Sequence, residues 1–305
     1  MNVKHLPLDA LRAAFGDRLQ ENAPLAPYTS ARIGGPADAL LTVRSADELA
    51  EVVRRLWDLG VSPFLLGGGS NVLISDRGVR GVVVLNRARA VRFQKGELPT
   101  VWAESGTVLS NLAQRAAAQG FSGLEWAATV PGTLGGAVYG NAGAFGGDMA
   151  GVLLWAEVLT ERGRERRSVE QMDYGYRTSA LKRQAVRAVV LSAELRLENG
   201  DPARVRERMR EFVERRKRTQ PPGASMGSMF KNPPGDYAGR LIEAAGLKGT
   251  RIGGAEISPV HANFFVNLGE AKASDVKALI DLAQQTVAEK FGVRLELEIE
   301  LVGEW

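Results

Sequence analysis

The sequence predicts an α+β protein of two domains, and three observations carry that expectation. Apolar residues recur at helical spacing in some segments and alternate strictly in others, without a regular strand–helix–strand order. Glycine, at 35 of 305 residues, is gathered into runs that join apolar strands. The polar, turn-forming run Glu198-Asn199-Gly200-Asp201-Pro202 then divides a glycine-rich stretch from a more helical remainder. At 45% hydrophobic and 24% charged residues, the chain has an ordinary globular composition, long enough for a sizeable core.

The elements follow in order. Met1-Asn2-Val3-Lys4-His5, then Leu8, Leu11, Phe15 and Leu19, read as an amphipathic helix without the apolar core of a signal peptide; residues 1–26 form an N-terminal helical segment. Ser45 caps a helix whose inner face is Leu49, Val52, Val53 and Leu56, and Gly60 stops it. Phe64-Leu65-Leu66 and Val72-Leu73-Ile74 are short buried strands on either side of Gly67-Gly68-Gly69-Ser70-Asn71, and Val79 to Leu85 is another strand. Thr107 to Gln119 is helical, and Leu153 to Thr160 and Ala188 to Leu197 are strands, which closes a domain at 27–197. In the second domain, 203–305, Val205, Met209, Phe212 and Val213 line one face of an arginine-rich helix. Short and long helices follow at Ala238–Ala245 and Ser274–Phe291, each stopped by glycine. Val293, Leu295, Leu297, Ile299 and Leu301 alternate with charged residues as a half-buried strand.

Composition excludes several chemistries. With no cysteine, disulfides, thiolate catalysis, Fe–S clusters and cysteine-linked flavin are ruled out. The two histidines, His5 and His261, cannot build a histidine metal site, so no metal is expected. No apolar run spans a bilayer. A net charge of +4 fits an anionic ligand better than nucleic acid. The helix from Arg204 to Arg218 interleaves arginines with Glu207, Glu211 and Glu214, first of all the pattern of a salt-bridged surface.

The glycine runs carry the functional signal. Gly67-Gly68-Gly69 permits φ > 0 and close approach of a ligand, so successive N–H groups can face an anion, with Ser70 and Asn71 adding donors. It is neither a dinucleotide fingerprint nor a Walker loop, because a strand follows it and no Gly-Lys-Ser/Thr occurs. Thr129-Val130-Pro131-Gly132-Thr133-Leu134-Gly135-Gly136 can feed a helix whose start faces phosphate. Arg32-Ile33-Gly34-Gly35-Pro36 is a third run. One such run is more often a tight turn; three together point to a large cofactor with a diphosphate.

The order of these motifs, followed by Asn141-Ala142-Gly143-Ala144-Phe145-Gly146, Tyr176-Arg177-Thr178-Ser179, Gly227-Ser228-Met229-Phe230-Lys231-Asn232-Pro233, Ile252-Gly253-Gly254 and His261-Ala262-Asn263-Phe264, resembles the UDP-N-acetylenolpyruvoylglucosamine reductases (MurB), over residues 22–303. The resemblance implies a two-subdomain FAD-binding fold of the vanillyl-alcohol-oxidase (PCMH) type with a C-terminal α/β substrate-binding domain. It implies the shorter type, without a tyrosine-loop insertion, because Tyr176 to Leu197 leaves no room for one. It also implies non-covalent FAD, NADPH as hydride donor, UDP-N-acetylglucosamine enolpyruvate as substrate and a cytoplasmic location in cell-wall precursor synthesis. No nucleic-acid, membrane or obligatory protein partner is expected.

The resemblance assigns Arg32, Ile33, Gly34, Gly67, Gly68, Gly69, Ser70, Asn71, Thr129, Pro131, Gly132, Gly135 and Gly136 to the cofactor. Asn141, Tyr176, Lys231, Asn232, His261 and Asn263 are assigned to the substrate. An enol ether is electron-rich, so it accepts hydride only when its carboxylate is polarised towards an enediolate and a proton donor stands at the neighbouring carbon. Arg177, with a planar fork, is the carboxylate's candidate partner; Ser228 is the candidate proton donor; Glu298, protonated in the working complex, is the candidate acid at the enediolate. One departure is Glu300, where the resemblance leads one to expect arginine; if that arginine serves the flavin phosphate, another cation must replace it. Two other readings stay open on the residues: a related FAD-dependent sugar or alcohol oxidase, and a non-catalytic nucleotide-sugar binder.

Overall fold

The computed structural model describes residues 6–183 and 187–305; the expectation for Met1 to His5 lies outside them. The chain forms two compact units, one of residues 1–19, 41–68 and 84–216, the other of 20–40, 69–83 and 217–305. This division departs from a simple cut near residue 200, because two short N-terminal segments join the C-terminal residues.

In the first unit an antiparallel five-stranded sheet runs in the order Gly163–Ser168, Leu153–Thr160, Ala188–Arg196, Thr100–Glu104, Val91–Gln94. Its central strands are apolar on the inner face, and Val101, Ala103, Ala156, Val158, Ala193 and Leu195 pack with Leu109, Leu112 and Ala116 of helix Leu109–Ala118. Burial of this kind contributes about 25 cal/mol per Å² of apolar surface. Helix Ala46–Asp58 starts where the Ser45 side chain accepts from Glu48 N at 3.1 Å, as the capping pattern predicts. Its first turn is pinned by buried Glu104, whose carboxylate accepts from Ala46 N and Ala90 N, each at 2.8 Å.

The run expected to be a linker is instead stitched into this unit. Glu198 and Asn199 pair with Ser122 and Phe121, and Gly200 N donates to Gly120 O at 2.9 Å. Helix Pro202–Thr219 then stays with the unit as far as Arg216, with Met209 packed against its core. Polar composition predicts a turn here but cannot show that the backbone finds a strand partner, Glu198–Asn199 on Phe121–Ser122.

The second unit holds a four-stranded antiparallel sheet, Ala224–Ser228, Phe264–Asn267, Ala255–Ile257, Arg251–Ile252. Helix Ala273–Phe291 buries Val276, Leu279, Ile280, Ala283 and Val287 in a core shared with Met229, Phe230, Ile257 and Phe265. Its N-terminus is closed by Asp76, which accepts from Ala273 N at 2.7 Å and Ser274 N at 2.9 Å, and its C-terminus by Gly292 at φ 67.

The strand expected over Val293–Leu301 is shorter: only Glu300–Val302 forms a ladder, parallel to Val72–Ile74. The apolar alternation is real, since Leu295 and Ile299 are buried, but the chain changes partner along its length. Lys231 N donates to Glu296 O and Glu298 N to Met229 O, then Glu300 N to Asn71 O, each at 2.9 Å. A segment that pairs with two neighbours in turn keeps its period of two without forming one continuous strand.

Candidate active site

The cofactor residues assigned from sequence fall in both units. In the first, Gly67 and Gly68 lie against the 132–133 turn: a Cβ on Gly68 would sit 2.8 Å from Gly132 Cα, and one on Gly67 would sit 2.4 Å from Thr133 Oγ1. A side chain fits at neither position: Gly68 is held against the Gly132 backbone and Gly67 against the Thr133 side chain. Gly132 has φ 101. Helix Leu134–Gly140 follows, as expected, with Gly136 open at its first turn. In the second unit Gly34 and Gly69 have φ 145 and 58, Arg32 has φ 57, and buried Ile33 is clamped by the Thr29 hydroxyl at both its N–H and its carbonyl.

Whether these loops suit a diphosphate depends on which way their peptides face. A nest must turn its carbonyls away from the anion. Gly67 O accepts from Arg87 Nη1 at 2.8 Å, Gly69 O from Ser30 N at 3.0 Å and Gly132 O from Leu109 N at 3.1 Å. All three carbonyls are thus engaged by protein donors, and the residues fit the group. Arg87, which sequence reasoning missed, is a cation directly behind the loop. Nothing in its spacing marks it, since it simply ends the strand Val79–Asn86.

Arg177 sits in the first unit on a turn closed by the Gly175–Thr178 bridge, at φ 55. Its loop is tied to helix Leu134–Gly140 by Tyr174 Oη to Val138 O at 2.9 Å, Ser179 Oγ to Tyr139 O at 2.7 Å, and Asn141 Nδ2 to Gly175 O at 3.0 Å. Burial pushes the Tyr174 phenol well above its ordinary pKa, which keeps it a neutral donor. Arg177 Nη1 donates to Gly143 O at 3.0 Å, and its guanidinium stands 5.7 Å from the ring of Tyr176, which is 57% exposed. The serine of the Tyr-Arg-x-Ser motif is therefore an anchor for the arginine. Asn141 is used on both sides, since its Oδ1 also accepts from Ala150 N at 3.0 Å.

Ser228 and Glu298 sit on adjacent segments of the second unit. Phe230 and Leu297 form a bridge, and the bond from Glu298 N to Met229 O sets the two segments side by side. Asn71 joins them: its Nδ2 donates to Glu298 O at 3.1 Å. The structure thus brings Asn71, Ser228 and Glu298 into one framework and places Arg177 in the other unit. Lys231 is ion-paired with Glu296 at 3.3 Å.

Three residues expected at the substrate have jobs in the fold. Asn263, 3% exposed, accepts from Phe230 N at 2.9 Å and donates to Phe230 O at 2.8 Å. Asn232 Oδ1 accepts from Ala238 N at 3.1 Å, closing helix Ala238–Ala244. His261 packs against Gly239 and the Phe264 ring, and its Nδ1 accepts from Asn263 N at 3.2 Å. Burial lowers the His261 pKa, so the ring is neutral near pH 7.

The second residue missed from sequence is Arg216, on the helix assigned to a salt-bridged surface. Its Nη1 donates to Thr129 O and, at 3.2 Å, to Thr129 Oγ1, so it braces the loop that carries Pro131 and Gly132. Burial lowers its pKa.

The fold and these loops define an FAD-dependent oxidoreductase of the vanillyl-alcohol-oxidase type: residues 37–168 match the model of the FAD binding domain. Residues 219–302 match the model of the UDP-N-acetylenolpyruvoylglucosamine reductase C-terminal domain. The chain is 46% identical over 290 residues to UDP-N-acetylenolpyruvoylglucosamine reductase of Chloroflexus aggregans, covering 93% of this chain and 97% of the relative. It is 48% identical to that of Rubrobacter xylanophilus, over 92% of this chain and 94% of the relative. The crystal structure of the Thermus caldophilus enzyme superposes with TM-score 0.80 at 38% identity, over 93% of this chain and 99% of that one. The chain belongs to the UDP-N-acetylenolpyruvoylglucosamine reductase family. Among the described residues no helix is long and apolar enough to cross a membrane.

Proposed function

We propose that this protein reduces UDP-N-acetylglucosamine enolpyruvate to UDP-N-acetylmuramate at the expense of NADPH, in the cytoplasm, as a step in peptidoglycan precursor synthesis. FAD held by the 32–34, 67–71 and 129–136 loops would supply the hydride chemistry between NADPH and the methylene carbon of the enolpyruvyl ether. The protein manages charge and one proton. Arg177 pairs with the substrate carboxylate and draws electron density toward it. Glu298 holds a proton toward the enediolate oxygen. Ser228 gives its hydroxyl proton to the carbon beside the methylene, completing the addition of hydride and proton across the double bond, and Lys231 offsets the charge left on its oxygen.

The observation that carries this reading is the Asn71–Glu298–Met229 connection, which holds the proposed acid, the proposed proton donor and the end of a glycine loop on one framework. Tyr176 and Lys231 are proposed as direct substrate contacts. Asn141, Asn232, His261 and Asn263 act through the loops they hold. Among the described residues, the segment from Tyr176 to Leu197 carries one short helix, Ala180–Arg183, before the sheet strand, which supports the shorter type. Residues 27–197 serve the flavin and 203–305 the sugar nucleotide, with the helix from Pro202 to Arg216 bracing the former.

Anaerobic titration of the yellow protein tests the function. NADPH is expected to bleach the flavin, and the UDP-enolpyruvyl sugar to restore its colour stoichiometrically. Bleaching by a sugar or alcohol alone would instead identify an oxidase, and a chain that stays colourless after incubation with FAD would identify a binding protein.

A further inference from the structure

The aromatic pair Phe145–Phe212 has no part in the chemistry above, yet it lies one step behind Arg177. Gly143, whose carbonyl accepts from Arg177 Nη1, is the foot of a small hairpin in which Gly143 pairs with Asp148 and Ala144 with Gly147. The turn residues Phe145 and Gly146 have φ 52 and 85. Two left-handed residues in a row suit Asn-Gly or Gly-Gly, and a bulky ring at the first of them is unfavourable unless its surroundings hold it. The base of the hairpin has no slack: a Cβ on Gly147 would stand 2.5 Å from Trp126 Cδ1, and one on Gly143 2.8 Å from Asp148 Cβ.

What holds the tip is helix Pro202–Thr219. The Phe145 and Phe212 rings stack with centroids 4.5 Å apart and planes 5° from parallel. The Arg215 guanidinium stands 5.8 Å from the Phe145 ring centroid and that of Arg208 5.7 Å from Phe212. Cation and stack together fix the ring's position in a way that apolar contact alone does not. We propose that Phe212 is a positioning residue for the half-reaction in which the substrate reoxidises the flavin: by stacking on Phe145 it fixes the hairpin whose Gly143 carbonyl aims the Arg177 guanidinium at the substrate carboxylate. The inference rests on the carboxylate role given to Arg177 above.

Four variants of the FAD-loaded protein decide it: Phe212→Ala, Phe212→Tyr, Arg177→Ala, and Arg177→Ala combined with Phe212→Ala. Each is reduced anaerobically with NADPH and mixed with the UDP-enolpyruvyl sugar in a stopped-flow instrument. Phe212→Ala is expected to keep its FAD and its rate of reduction by NADPH, but to reoxidise about ten- to a hundredfold more slowly, the loss that a misplacement near 1 Å produces. Phe212→Tyr, which keeps the stack, is expected to reoxidise normally. The double variant is expected to be no slower than Arg177→Ala, because a residue that acts through Arg177 has nothing left to position. A double variant slowed by the product of the two single effects would overturn the inference, as would a normal Phe212→Ala beside a slow Arg177→Ala. A normal Arg177→Ala would remove the carboxylate reading and this inference with it. If Phe212→Ala fails to hold FAD, Phe212→Leu, which keeps apolar volume and loses the ring, is read by the same criteria.

Discussion

Asn263 shows how one side chain can look like a ligand and act as a brace. Its amide satisfies both backbone groups of Phe230, two residues after Ser228. Asn263→Ala removes the partner of a buried N–H and a buried carbonyl, each worth about 1–3 kcal/mol, so urea denaturation is expected to show a loss of roughly 2–6 kcal/mol. Ser179 does the same for Arg177. Ser179→Ala removes the hydrogen bond to the Tyr139 carbonyl and is expected to cost about 1 kcal/mol. It should also slow flavin reoxidation while sparing reduction by NADPH. Gly68→Ala acts at the cofactor: its methyl group would meet the Gly132 backbone at 2.8 Å, so the purified variant is expected to carry much less FAD per chain by absorbance, with its far-ultraviolet circular dichroism unchanged.

Helix Ala273–Phe291 shows which features of an element were legible. Its length, apolar stripe and stop at Gly292 follow from local pattern, as does the Ser45 cap of helix Ala46–Asp58. The residue that closes its N-terminus, Asp76, lies 197 residues away from Ala273 in sequence, and no spacing rule finds such a partner. Burial of Asp76 disfavours its charge, but hydrogen bonds from Ser274 and Ala273 outweigh that and lower its pKa. A lowered folded-state pKa means the stabilisation is full above the unfolded carboxylate pKa and fades as pH falls through the folded value. Asp76→Asn is therefore expected to flatten the acid limb of a stability-versus-pH curve below about pH 4, and thermal melts across that range check it. The same limit explains the rest of the site. The glycine loops, Ser228 and Glu298 were selected from motif order, whereas Arg87, Arg216 and Phe212 touch those loops only after the chain has folded back.

At the scale of the molecule, two compact units divide the proposed chemistry: Arg177 belongs to the one built on the five-stranded sheet, Ser228 and Glu298 to the one built on the four-stranded sheet. A chain without cysteine cannot hold the flavin through a thioether, and denaturation is expected to release it as free FAD. Passage of hydride through the flavin, with a single proton supplied afterwards by Ser228, is tested by measuring the two half-reactions separately in Ser228→Ala. Reduction of the flavin by NADPH is expected to proceed at nearly the parental rate, with reoxidation by the UDP-enolpyruvyl sugar slowed by about two to four orders of magnitude. Equal slowing of both half-reactions, or reoxidation at the parental rate, would contradict it.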